Sequence, residues 1–137
     1  MKLLLLFLTI AGYIHPIADK KFSAEKILFL HVTEKGTVSS GRDSVYKENI
    51  AGYIQERLFN SYISTGKMYT RIKLEKINTA VPDLIVQVVT KEIQEGQKRA
   101  LKDLCLDKYK KLYDNIDKKN QDKVQKQFPV LFQKDYQ

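Results

Sequence analysis

This chain has few of the residues from which catalytic and metal sites are usually built. Its 137 residues hold one cysteine, Cys105, and two histidines, His15 and His31. A lone cysteine excludes an internal disulfide and any cysteine-based zinc cluster. A reactive thiol needs a base beside it, and both histidines lie far from Cys105 in sequence, so Cys105 is expected to be a buried, inert thiol among Leu104 and Leu106. No second His, Cys or carboxylate stands at ligand spacing from His31, which is therefore expected to be structural. The Ser and Gly residues of positions 39–43 are not followed by Gly-Lys-Ser/Thr, which excludes a phosphate loop. Nor is there a dense Arg/Lys block. The 24 basic and 16 acidic residues, net charge +8, are interspersed along the chain. That pattern describes a solvated, lysine-rich surface better than a nucleic-acid site, where basic residues gather on one face among aromatics.

Long hydrophobic runs are also missing. The longest, residues 3–14, would cover about 18 Å as a helix, short of the roughly 30 Å hydrocarbon core of a bilayer. Its length and the single preceding Lys2 fit the hydrophobic region of a secretory signal. Cleavage after Ala18 would put Pro16 at −3. Cleavage after Ala11 places Thr9 and Ala11 well but leaves a very short apolar region. Two fates stay open for residues 1–18, a cleaved signal peptide or a retained membrane anchor, and both export the rest of the chain. Residues 19–25 read as a linker and residues 26–137 as one exported domain, consistent with 43% apolar content.

Within that domain the stretch from Pro82 to Leu104 organises the rest. Leu84, Ile85, Val88, Val89, Ile93, Gly96, Ala100 and Leu104 recur at steps of three and four, the signature of a helix with one apolar stripe. Pro82 and Asp83 suit its first turn. Residues 26–33 predict a strand, apolar on both faces at its centre and so internal to a sheet. Glu34-Lys35-Gly36 predicts a hairpin loop, residues 37–39 a brief second strand, and residues 39–43 a turn. Residues 47–64 predict an amphipathic helix with an Ile50, Ile54, Leu58, Tyr62 ridge, closed by Gly66. Residues 69–77 alternate, with Ile72 and Leu74 on one face and Arg71, Lys73 and Glu75 on the other, which predicts a strand buried on one face. The long helix is expected to continue through Leu106, Tyr109, Leu112 and Tyr113, with a break at Asp114-Asn115-Ile116. Asp117 is expected to cap a short basic helix at 118–127. Phe128-Pro129 should stop it, and residues 130–132 are expected to return as an edge strand. The fold class is α/β (α+β): a small sheet with two helices on one face, in β-β-α-β-α order, plus a C-terminal helical extension and an N-terminal hydrophobic helix.

Several of these residues carry a likeness. Val89-Thr-Lys-Glu92-Ile93, Lys108-Tyr109, Leu112-Tyr113-Asp114-Asn115-Ile116, the spaced Gln121 and Lys123-Val124-Gln125-Lys126, and the closing Phe128-Pro129 resemble the ExbD/TolR family of biopolymer-transport proteins, in its version with a long C-terminal extension. The likeness covers residues 26–132 as an architecture and 89–129 as a motif. It departs at Lys76-Ile77-Asn78-Thr79, where such members tend to have Asp-Arg-Gly-Thr, and at Phe132-Gln133-Lys134, where they tend to have Ile-Ser-Glu. The family's membrane helix also carries an aspartate for proton passage, whereas residues 3–14 contain no ionisable side chain. Either the sequence begins inside a longer helix, or the chain is a divergent form that keeps the exported domain.

The resemblance implies an envelope-located subunit of a proton-motive-force energy-transduction system, accessory or degenerate. It implies partners in a channel-type membrane subunit, a TonB-like protein and a second copy of itself. It also implies an inner-membrane anchor or a periplasmic location, with an exposed strand edge suited to β-strand addition. The alternative is an exported binding or structural module unrelated to transport. An enzyme is not expected. Glu92 and Glu95, one helical turn apart, read as surface charge and not as an acid–base pair. No catalytic, cofactor or metal residue is expected.

Overall fold

The structure is a computed structural model that describes residues 25–137. The expected N-terminal hydrophobic helix, at residues 1–18, falls outside the described residues, as does the linker up to residue 24.

Strand period places Leu28, Leu30 and Val32 on one face of β1 (Ile27–Val32), where all three are buried. The chain reverses at Gly36, whose φ of 82° favours a residue without Cβ. The turn is closed by Thr33 N–H to Thr37 O (2.9 Å) and Gly36 N–H to Thr33 O (3.0 Å). β2 (Val38–Ser40) then pairs antiparallel with β1. A second reversal leads into β3 (Asp43–Val45), paired with β2 through Val38↔Val45 and Ser39↔Ser44. This third strand corrects the expectation of a turn alone. Asp-Ser-Val has no apolar alternation of its own, so its conformation is set by the ladder it joins.

After one 3₁₀ turn at Lys47–Asn49, α1 (Ile50–Thr65) buries Ile50, Ala51, Ile54 and Leu58. Gly66 ends it in the left-handed region (φ 74°), its N–H donating to Tyr62 O at 2.7 Å. β4 (Arg71–Lys76) returns parallel to β1 over six register pairs, giving the sheet order β3-β2-β1-β4. β1 is internal, as its apolar centre predicts.

α2 (Asp83–Tyr109) has 27 residues and is about 40 Å long. Pro82 flanks it as the N-cap instead of entering the first turn. The buried stripe runs Val89, Ile93, Gly96, Gln97, Ala100, Leu104 and Cys105. Leu84 does not join it and is 67% exposed. The helix also ends earlier than its periodicity suggests, because Lys110 turns left-handed (φ 57°) with its N–H on Leu106 O. Asp117 caps α3 (Lys118–Gln127), accepting from Asn120 N–H at 3.0 Å. Residues 130–132 do not form the expected edge strand. Pro129–Phe132 is a 3₁₀ turn whose Val130 and Leu131 plug into the core.

The result is a two-layer α+β fold in β-β-β-α-β-α-α order. Leu28, Leu30, Val32, Ile72 and Leu74 from the sheet share one core with Ile54, Leu58, Val89 and Ile93 from the helices. Each such side chain contributes roughly 1.5–3 kcal/mol by leaving water. α1 and α2 cross closely at Gly96. A Cβ there would sit 2.6 Å from Ile54 Cβ and 2.7 Å from Ala51 O, so the helices approach as they do only because position 96 has no side chain.

Candidate functional site

Strand alternation that buries Leu28, Leu30 and Val32 necessarily sends Ile27, Phe29 and His31 to the other face. The parallel register sets Arg71, Lys73 and Glu75 beside them. Phe29 is 46% exposed there. Around it His31 Nε2 lies 3.6 Å from Glu75 Oε2, Lys73 Nζ 3.4 Å from Glu75 Oε1, and Arg71 Nε 3.3 Å from Glu25 Oε1. Such solvated pairs add little stability. Together they frame an aromatic ring with charges of both signs.

His31 is thus on the open face and not in the core, and it does have a carboxylate beside it. Glu75 lies 44 positions away in sequence, so no local spacing reveals it; pairing of β1 with β4 makes the contact. Ser39 continues the same row as the β2 partner of His31.

The edge of the sheet at β4 is closed. Ile72 N–H donates to Gln133 Oε1 (2.8 Å), Gln133 Nε2 donates back to Ile72 O (2.7 Å), and Leu74 N–H donates to Tyr136 O (2.7 Å). Behind this clasp the buried Gln97 donates to Val130 O (2.6 Å) and Gln133 O (3.1 Å), and accepts from the Tyr136 hydroxyl. Burial pushes the Tyr136 phenol up to about 12. The expected exposed edge is therefore covered on this side by the chain's own C-terminus, and on the other side it is only the three residues of β3. Gln97 has a sequence signal that the apolar reading passes over. It is a polar residue four positions after Ile93, inside the stripe.

A cleft of about 830 Å³ opens where α1 and α3 end, between Lys26, Lys67 and Lys108, over Tyr62, Met68 and Phe128. The Tyr62 and Phe128 rings meet edge to face, 5.5 Å between centroids. Cys105 lies elsewhere, fully buried in the core, and burial pushes its thiol up. Glu95 pairs with Arg99 at 3.4 Å along the same helix, as a surface carboxylate does. Among the described residues no group of three His, Cys, Asp or Glu side chains is placed to hold a metal ion, and no helix is long and apolar enough to cross a membrane. Set against family models, curated proteins and solved structures, the chain matches none of them.

Proposed function

We propose that this chain is an envelope-located subunit that works by protein–protein contact, an accessory or degenerate relative of the ExbD/TolR-type subunits its C-terminal half resembles. The observation that carries the docking part is Phe29, an aromatic ring 46% exposed at the middle of an internal strand. An apolar anchor ringed by His31, Lys73, Glu75 and Arg71 has the make-up of a contact patch, an aromatic centre with a polar rim. Docking onto the face is favoured over strand addition at an edge, because Gln133 and Tyr136 already occupy β4.

The transport part rests on the likeness in residues 89–129. Several residues of that likeness, Val89, Ile93, Ile116, Val124 and Phe128, are buried and support the fold. The test is a photo-crosslinking residue at position 29 of the full chain in native envelopes, with position 102 on α2 as the control. Capture of a channel-type membrane subunit from position 29 and not from 102, with residues 3–14 still attached, upholds the reading. A chain that starts near Gly12 or Asp19, is soluble and captures nothing sinks it and favours an exported module outside transport.

A further inference from the structure

Among the described residues, the lysines of the 830 Å³ cleft make no ion pair. Lys26 lines the cleft, but its Nζ donates to the Ser61 hydroxyl at 2.8 Å and stands 4.6 Å from the centre of the Tyr69 ring, two residues of the adjoining hollow. Lys108 Nζ donates to the Gln127 amide oxygen at 3.1 Å and lies 5.7 Å from the centre of the Phe128 ring. These partners are neutral. Among the described residues no carboxylate lies within ion-pair distance of Lys26, Lys67 or Lys108. The one carboxylate on the wall, Glu25, is paired with Arg71 at 3.3 Å.

Lysines often gather at helix C-termini to offset the dipole; Lys108 stands in the last turn of α2, and α1 and α3 end at the cleft. Backbone groups already meet terminal carbonyls at those ends, through Gly66 N–H to Tyr62 O (2.7 Å) and Phe128 N–H to Val124 O (2.9 Å). Lys108 Nζ stays beside Gln127 and Phe128, both of the cleft wall, and Lys67 is exposed on the same wall. Beneath them lie Tyr62, Met68 and Phe128, a mostly apolar floor. The volume falls in the usual range of small-molecule sites, about 300–1,000 Å³.

We infer that this cleft binds an anionic phospholipid, its phosphodiester between Lys67 and Lys108 and the start of its acyl chains on Tyr62, Met68 and Phe128. Charge complementarity selects the headgroup and the apolar floor selects an amphiphile over a bare anion. Position adds a second argument. Lys26 opens the described domain, and only residues 15–25 separate it from the run at residues 3–14. Even fully extended those eleven residues reach no more than roughly 40 Å, and Lys20 and Lys21 within them add to the attraction toward an anionic leaflet. This second argument rests on residues 3–14 being a retained anchor; the charge argument does not.

The test is calorimetric titration of the full chain, in nonionic detergent, with dihexanoyl phosphatidylglycerol. Saturable one-site binding is expected. It should weaken at least tenfold in K67E/K108E, and measurably in the milder K67Q/K108Q, and stay unchanged in K102E/K123E. Dihexanoyl phosphatidylcholine and glycerol phosphate should each bind at least tenfold more weakly. No saturation, equal binding of the zwitterionic lipid or of glycerol phosphate, or full affinity in a folded K67Q/K108Q would overturn the proposal. So would a chain that sediments as a dimer and takes up no lipid, since a second copy then fills the cleft. Intact mass of the chain from native envelopes is read separately. Loss of residues 1–18 removes the anchor reading, while the titration still decides the cleft.

Discussion

Gln133 sits against Ile72 as a neighbouring strand would, its side-chain amide accepting from the Ile72 N–H and donating to the Ile72 carbonyl. One side chain thereby satisfies both backbone groups of an edge residue, and Tyr136 O takes the next N–H, that of Leu74. An uncovered strand edge is a template for pairing with other chains. The C-terminal tail closes this one without forming a strand.

Replacing Gln133 with alanine leaves those two part-buried groups of Ile72 without their partner. The expected loss is about 1–3 kcal/mol, seen as a melting temperature several degrees lower. Amide exchange at Ile72 and Leu74 should accelerate more than at β1. Unchanged exchange at both amides would show that the clasp does not protect the edge.

Gly96 and Gly52 should respond to alanine with opposite signs. At Gly96 the new Cβ meets Ile54 Cβ at 2.6 Å and the Ala51 carbonyl at 2.7 Å. The helices must move apart, costing roughly 1–3 kcal/mol, more than the gain in helix propensity. At Gly52, the third residue of α1, nothing lies within 4 Å, and alanine there should stabilise by up to about 0.5–1 kcal/mol. Chemical denaturation of the two variants gives the comparison directly.

Lys110 ends α2 in the left-handed region, where its Cβ is strained. Glycine there should stabilise the fold by up to about 1 kcal/mol, the relief being partly offset by the added freedom of the unfolded chain. A lower melting temperature for K110G would mean that the lysine's own bond to Asp107 O, at 3.2 Å, outweighs the strain.

Tyr136 ties stability to high pH. Its phenol titrates near 10 when unfolded and at about 12 when folded, chiefly because it is buried. The folded state therefore holds the proton more tightly. The stabilisation is complete below pH 10 and is lost as pH rises from 10 through 12, by roughly 2–3 kcal/mol in all. Urea unfolding at about pH 9 and about pH 11.5 should show this drop in the wild type and a smaller one in Y136F. At neutral pH Y136F should also be less stable by about 1–3 kcal/mol, because the buried Gln97 oxygen loses its donor.

The division between what can be read in the chain and what cannot tracks the range of the interactions involved. Sequence alone determined the long apolar stripe of α2 from Val89 to Leu104, the glycine stop at position 66, the Asp117 cap and the one-sided alternation of β4. Each is a property of a few consecutive residues and of a helical or strand period. Tertiary structure decided the rest. β3 exists because β2 offers it a ladder, since Asp43-Ser44-Val45 carries no pattern of its own. Residues 130–132 leave the sheet because Gln97 holds the Val130 carbonyl and the core takes Val130 and Leu131. The Phe29, His31 and Glu75 face, the Gln133 clasp and the lysine-rimmed cleft all join residues dozens of positions apart. Local preferences set which segments became helix or strand, but only the packing of the two helices on one side of the sheet left the other side open.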